Sequence, residues 1–102
     1  MNKIVVNRCF GGYSLSKEEV QWLLENGNED TKNEVAKYED VAFSCNRHNQ
    51  DLVKCVEILG ERANGECAEL EIEHIEGNQY RITEYDGYES VETPESIKWT
   101  TI

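Results

Sequence analysis

The sequence predicts an α+β domain: an antiparallel sheet of about four strands with two helices packed on one face. Three observations predict it. They are a β-branched strand near the N-terminus, two segments with helical periodicity, and a stretch of alternating apolar and acidic residues broken by tight turns. The chain has 102 residues, of which 38% are hydrophobic. This length and composition suit a single domain over residues 1–102.

The C-terminal stretch from Glu66 to Thr93 predicts a three-stranded antiparallel meander. Apolar and acidic residues alternate along its first strand, which is typical of a strand with one buried and one solvated face. The apolar residues are Ala68, Leu70 and Ile72, and the acidic residues are Glu69, Glu71 and Glu73. The second turn is Asp86-Gly87, which suits a two-residue type I′ turn because both central residues need positive φ.

The loop around Gly77 allows two registers for the first hairpin. A two-residue loop would place Glu71 opposite Glu84. A three-residue loop would instead place Ile72 opposite Ile82 and Glu73 opposite Arg81. The second register is favoured because opposed like charges destabilise a sheet. The Asp86-Gly87 turn then pairs Tyr85 with Tyr88, Ile82 with Val91, and Arg81 with Glu92.

The segment from Lys3 to Phe10 is predicted to form a buried strand beside the meander. Its residues Ile4, Val5 and Val6 are β-branched, and they are apolar on both faces of a strand. Gly11-Gly12 ends this strand.

Two helices are predicted from their caps and periodicity. The first begins at Ser16, which forms a capping box with Glu19, and its inward stripe is Val20, Leu23 and Leu24. The second begins at Asn49 or Asp51, and its buried side is Leu52, Cys55, Val56, Leu59 and Ala63.

Between the two helices the segment from Asn28 to Tyr38 is polar, and only Val35 and Ala36 could anchor a short helix. Trp99 and Ile102 are expected to return over an open edge of the core.

The net charge of −11 excludes some classes of partner. Direct binding of DNA or RNA needs a basic surface, and an anionic membrane surface would repel the chain. No apolar run reaches the roughly 18 residues of a membrane span, and the N-terminus carries no basic-then-apolar leader, so we expect a cytoplasmic protein. From Glu57 onward, twelve acidic residues lie among only three basic ones. We therefore expect a protein partner with a basic surface, and the sequence leaves a homodimer open.

Four glutamates and two tyrosines form the predicted partner-binding set. Glu69, Glu71, Glu73 and Glu92 would line the solvated face of the meander, and Tyr85 and Tyr88 flank its tight turn. Aromatic side chains at the rim of a sheet can anchor a partner, although cross-strand tyrosines also commonly stabilise hairpins.

A second set of residues could hold a small anionic ligand. It consists of Arg8, Gly11, Gly12 and Tyr13 after the first strand, with Arg47 and His48 before the second helix. Paired glycines let a ligand approach the backbone, and a helix N-terminus with nearby Arg and His suits a phosphate. The alternatives are that the glycines only turn the chain and that Asp51 occupies the helix terminus.

No constellation of residues predicts catalysis, a cofactor or a metal site. Acid–base catalysis by two carboxylates needs environments that separate their pKa values, and the alternation of the glutamates on a solvated face singles out no such pair. Cys9, Cys45, Cys55 and Cys67 are expected to be reduced thiols, and Cys45-x-x-His48 is too loose a spacing to predict zinc. We therefore expect a binding protein rather than an enzyme.

Three motifs resemble a widespread family of small phage and prophage proteins. They are the run from Lys3 to Ser16, the Arg47-His48 pair before Asp51, and the run from Tyr80 to Gly87. Members of that family often have Asp-Pro after the Arg-His pair, where this chain has Asn49-Gln50. The resemblance implies a small accessory protein made in the cytoplasm of an infected bacterial host, where such genes often encode inhibitors of host defence.

Charge and resemblance together favour a counter-defence inhibitor. Its acidic surface would mimic DNA and block a host protein that handles nucleic acid. The alternatives are a sponge for a nucleotide signal, which would use Arg8, Arg47 and His48, and a structural or assembly protein without a ligand.

Overall fold

A computed structural model of the chain describes residues 2–65 and 68–94. The predicted start of the meander at Glu66, the thiol of Cys67, and the predicted return of Trp99 and Ile102 lie outside the described residues.

The described residues form an α+β domain, as the sequence predicts. The helices are α1 (Lys17–Asn26), α2 (Glu29–Tyr38) and α3 (Gln50–Leu59), with 3₁₀ turns at Glu39–Val41 and Gly60–Ala63. The strands are β1 (Asn2–Asn7), β2 (Leu70–Ile75), β3 (Arg81–Tyr85) and β4 (Tyr88–Glu92). The described part of the chain thus has three helices where two were predicted, because the polar segment after Asn28 folds into α2.

The strands pair differently from the prediction. Within the described residues they form two antiparallel two-stranded sheets, β1 with β2 and β3 with β4, so the four-stranded sheet with its three-stranded meander is not observed. Ile72 lies opposite Val5 and Glu73 opposite Ile4, so the predicted partners Ile82 and Arg81 are wrong. The second hairpin has all three predicted pairs, Tyr85 with Tyr88, Ile82 with Val91, and Arg81 with Glu92.

The two apolar faces of β1 explain this arrangement. Val5 belongs to the main core with helix residues such as Leu23 and Leu52, whereas Ile4 and Val6 face the other way. A strand that is apolar on both faces must be covered on both faces. The β3–β4 hairpin supplies the second cover: Ile75 joins Ile4 and Val6 in a smaller cluster, against which Tyr80, Ile82 and Val91 pack. The hairpin therefore packs against the β1–β2 pair instead of extending it.

Capping side chains set the starts of the helices. The Ser16 hydroxyl accepts a hydrogen bond from the Glu19 N–H at 3.1 Å, and the side chains of Asn28 and Asn49 cap α2 and α3 in the same way. The predicted stripe of α1 is only partly right, because Leu24 is exposed. Its place in the buried face is taken by Glu19, one turn before Leu23.

A buried ion pair covers the edge of β1 that does not face β2. The Val5 N–H donates to the Arg47 carbonyl at 2.9 Å, and the Asn7 N–H donates to Glu89 Oε1 at 2.8 Å. The guanidinium of Arg47 forms two hydrogen bonds with the Glu89 carboxylate, and both residues are buried. The Arg47 carbonyl and the Glu89 carboxylate thus accept hydrogen bonds from the Val5 and Asn7 N–H groups, which a further strand beside β1 would otherwise bond.

Removing the charge of Glu89 should destabilise the protein strongly. The Glu89→Gln substitution leaves the Arg47 guanidinium buried without its counter-charge, which costs about 3–5 kcal/mol. The matched control is Glu92→Gln, because Glu92 pairs with Arg81 on the surface and such pairs contribute about 0–1 kcal/mol. Urea unfolding measures both. Similar losses in the two variants would contradict a central role for the buried pair.

Gly87 should tolerate a methyl group less well than Gly60 does. Both have positive φ, but a Cβ on Gly87 would overlap the Gly12 nitrogen, whereas a Cβ on Gly60 would meet nothing within 4 Å. Gly60→Ala should therefore cost about 1 kcal/mol from backbone strain alone, and Gly87→Ala distinctly more. The comparison of urea midpoints tests the contact between the two turns, since equal midpoints would mean that the turns do not touch.

Candidate functional site

The turn of the β3–β4 hairpin rests on the glycine turn that follows β1. Asp86 and Gly87 have φ values of 50° and 90°, as the predicted type I′ turn requires. The Asn7 side chain ties the two turns together, because its amide donates to the carbonyl oxygens of Cys9 at 2.8 Å and Gly87 at 2.7 Å. The end of the hairpin is therefore fixed to the body of the domain.

Three aromatic side chains meet at this junction, and we call them the aromatic tip: Phe10, Tyr85 and Tyr88. The rings of Phe10 and Tyr88 lie 5.3 Å apart between centroids, and Tyr85 is the cross-strand neighbour of Tyr88. Phe10 is 64% exposed and Tyr85 is 75% exposed, the two largest values among the large hydrophobic side chains of residues 2–65 and 68–94. The sequence predicts Phe10 at the end of a buried strand, but β1 ends earlier, at Asn7. Only the glycines after Phe10 indicate an early end of the strand.

Arg8 lies beside the aromatic tip and is surrounded by acceptors. Its Nη2 is 2.8 Å from Glu73 Oε2, its Nε is 3.7 Å from Glu71 Oε2, and its Nη1 donates to the Glu89 carbonyl at 2.8 Å. Its guanidinium carbon also lies 5.8 Å from the centre of the Tyr88 ring. This predicted ligand-binding residue therefore links β2 to β4.

The predicted acidic set divides into two groups. Glu69, Glu71 and Glu73 lie together on or just before β2, close to Arg8. Glu92 lies on β4 and pairs with Arg81, so it belongs to the other sheet. Two exposed acids that the sequence did not single out, Glu84 and Asp86, flank Tyr85 at the hairpin turn. We call Glu69, Glu71, Glu73, Glu84 and Asp86 the acidic rim.

Two further members of the predicted ligand set pack against each other: Arg47 is buried and Tyr13 is partly buried. The Arg47 guanidinium stacks on the Tyr13 ring at 3.6 Å and pairs with Glu89, and the Tyr13 hydroxyl donates to the Ala42 carbonyl at 2.8 Å. Burial raises the pKa of Tyr13 above its ordinary value. These side chains are occupied with one another and support the fold.

The rest of that set is dispersed. His48 is exposed, and its Nδ1 lies 2.7 Å from the Tyr80 hydroxyl. This hydroxyl is not one of the groups that accept hydrogen bonds from the side chains of Arg8 and Arg47. Gly11 and Gly12 turn the chain against Gly87, with Gly12 at a φ of 98°. The structure thus stacks the buried Arg47 on the partly buried Tyr13 and does not gather the six residues around one ligand.

Glu19 is a titratable group that the sequence assigned only to capping. Its side chain is 0% exposed, and neither carboxylate oxygen has a hydrogen-bond partner. Burial raises its pKa to about 8. The neighbouring Cys55 thiol also has a raised pKa, first because of burial and then because of the Glu19 charge. Glu19 therefore carries its proton in the folded protein at neutral pH.

Comparisons with known proteins add no assignment. No family model, no curated protein and no solved structure matches the chain. No helix within the described residues has the length and apolar character to cross a membrane. In the same part of the chain, no three His, Cys, Asp or Glu side chains are grouped as metal ligands.

Glu19 should make the stability of the protein fall as the pH rises. The unfolded chain releases the Glu19 proton near pH 4.5, whereas the folded protein holds it until about pH 8. The free energy of unfolding should therefore decline across this window, and the Glu19→Gln variant should lack that decline. We expect similar stability of the two proteins at pH 4.5 and an advantage of roughly 3–4 kcal/mol for the variant at pH 8.

Urea unfolding at several pH values measures this difference. The matched control is Glu18→Gln, which removes the same charge from an exposed position on the same helix. Parallel pH profiles of the Glu19→Gln variant and the wild type would contradict the assignment of the proton to Glu19.

Proposed function

We propose that this protein acts by binding, and that the aromatic tip and the acidic rim together contact a protein with a basic surface. The observation that carries the proposal is the pair of exposed aromatic rings, Phe10 and Tyr85, held beside Tyr88 at a fixed turn. Aromatic side chains are enriched at protein interfaces, and tyrosine is among the residue types that most often dominate binding energy there.

The fixed geometry of the tip supports this role. Asn7 bonds both turns, and Gly87 packs closely against the backbone of Gly12. Aromatic side chains lose little conformational entropy when a partner covers them, and a backbone that is already ordered loses less still. A partner would therefore meet a preformed surface.

The charge around the tip supports a basic partner. Within the described residues, Arg8 is the one cation that contacts the five carboxylates of the acidic rim. It pairs with Glu71 and Glu73. Glu69, Glu84 and Asp86 are exposed. Such a surface speeds encounter with a positive surface and repels a nucleic acid. With the resemblance to phage proteins, this favours a target that normally holds nucleic acid, which the protein would block by mimicking DNA.

Truncation of the tip should weaken binding to such a target. The first experiment captures bacterial lysate proteins on the immobilised wild type at low and high salt and identifies those that also bind duplex DNA. We expect Tyr85→Ala to weaken binding of the captured protein at least tenfold, as for an aromatic hot spot worth about 1.4 kcal/mol or more. Tyr38→Ala, which truncates an exposed tyrosine on α2, is the matched control and should leave binding unchanged.

Charge reversal and competition test the electrostatic part. Glu84→Lys should lower the association rate and reduce its dependence on salt, whereas Glu61→Lys, at an exposed position away from the hairpin, should change neither by as much. Duplex DNA should compete with the protein for its target. A target that binds equally well to the Tyr85→Ala variant, or that binds the protein and DNA at once, would overturn the proposal.

A further inference from the structure

A cleft of about 570 Å³ lies between the start of β1, the start of α3 and the connection from β2 to β3. This volume falls in the range of about 300–1,000 Å³ that small-molecule sites occupy. Its apolar lining is Ile4, Val53 and Ile75, from three different elements. The cleft shares no residue with the aromatic tip or the acidic rim.

The cleft is free of carboxylates in a protein that has 21 of them. None of its lining residues is acidic, and its ionisable side chains are those of Lys3, His48 and Tyr80. Asp51, in the first turn of α3, is turned away from it, because its carboxylate accepts hydrogen bonds from the Asn28 N–H at 3.0 Å and the Thr31 hydroxyl at 2.6 Å. Lys3 has a half-exposed partner in Glu57 at 2.9 Å, outside the lining.

His48 can present a donor at this site. The Tyr80 hydroxyl lies 2.7 Å from His48 Nδ1, and burial raises the pKa of Tyr80, so the hydroxyl keeps its proton. A phosphate at Nε2 selects the tautomer with the proton on Nε2, in which the Tyr80 hydroxyl donates to Nδ1.

Four amide side chains complete the polar lining: Asn2, Asn49, Gln50 and Asn78. Asn2 and Asn49 are partly engaged, with the Gly77 carbonyl at 2.6 Å and the Leu52 N–H at 3.0 Å. Each amide carries both donors and acceptors, so a set of them can bond hydroxyl groups and the edge of a heterocyclic base. A simple anion would use few of these groups and none of the apolar lining.

We propose that this cleft binds a nucleoside monophosphate. The base and ribose lie against the Tyr80 ring and the accessible edges of Val53 and Ile75 and bond to the amide side chains, and the phosphate lies near Lys3 and His48. The absence of carboxylates from the lining is the reason that an anion can enter a protein of such negative charge. This site is independent of the proposed partner-binding surface.

The test titrates the full-length protein with AMP, adenosine and inorganic phosphate, followed by NMR of backbone amides and by calorimetry. AMP should shift the resonances of His48, Gln50, Asn78 and Tyr80. Adenosine and phosphate should each bind at least tenfold more weakly, because each carries only part of the recognised groups. Phosphate that binds as tightly as AMP, or AMP that shifts nothing at millimolar concentration, would overturn the proposal.

A carboxylate introduced into the cleft should weaken AMP binding. Gln50→Glu keeps the size of the side chain, and an acid in the first turn of a helix is compatible with α3. We expect it to weaken AMP binding at least tenfold. Asn33→Asp makes the same change of charge at an exposed position on α2 and should have little effect. Thermal unfolding confirms that both variants are folded. Equal AMP affinity in the two variants would place binding elsewhere and reject this site.

Discussion

The buried ion pair between Arg47 and Glu89 is the interaction on which the rest of the structure depends. Its carboxylate and guanidinium lie at the edge of β1 that β2 leaves open, where they bond the backbone of Val5 and Asn7. The stacked ring of Tyr13 and the Ser44 carbonyl complete the surroundings of the guanidinium. Taking two charges out of water is costly, and it is offset here because the guanidinium and one carboxylate oxygen each have further partners. The pair joins the loop before α3 to β4, and so it holds the second hairpin against the first pair of strands.

This use of arginine shapes the surface of the protein. Arg47 is buried with Glu89, and Arg8 pairs with Glu71 and Glu73, so neither arginine balances Glu69, Glu84 or Asp86. The acidic rim remains in excess around the aromatic tip for that reason. The residues that looked most like ligand-binding cations in the sequence therefore build the scaffold, and the carboxylates and rings that they support form the surface that we propose for a partner.

Two buried glutamates show the two ways in which a protein can hold a carboxyl group in its core. Both carboxylate oxygens of Glu89 bond to Arg47, whereas neither carboxylate oxygen of Glu19 has a hydrogen-bond partner and Glu19 stays protonated. Charge compensation fixes the geometry of the first, and proton uptake makes the energy of the second depend on pH. Burial of Glu19 therefore lowers the free energy of unfolding as the pH rises, whereas Glu89 is compensated by Arg47.

The sequence by itself determined the features that depend on neighbouring residues. These are the capped starts of the helices at Ser16 and Asn49, the type I′ turn at Asp86-Gly87 with its register, and the burial of β1. Only the tertiary structure decided the partner of β2, the docking of the hairpin across β1, and the burial of Arg47. Local caps and turns follow from hydrogen bonds within a few residues, which a sequence displays directly. The pairing of β1 with β2 joins segments more than sixty residues apart, and it was selected by the need to cover both apolar faces of one strand and the open edge beside it.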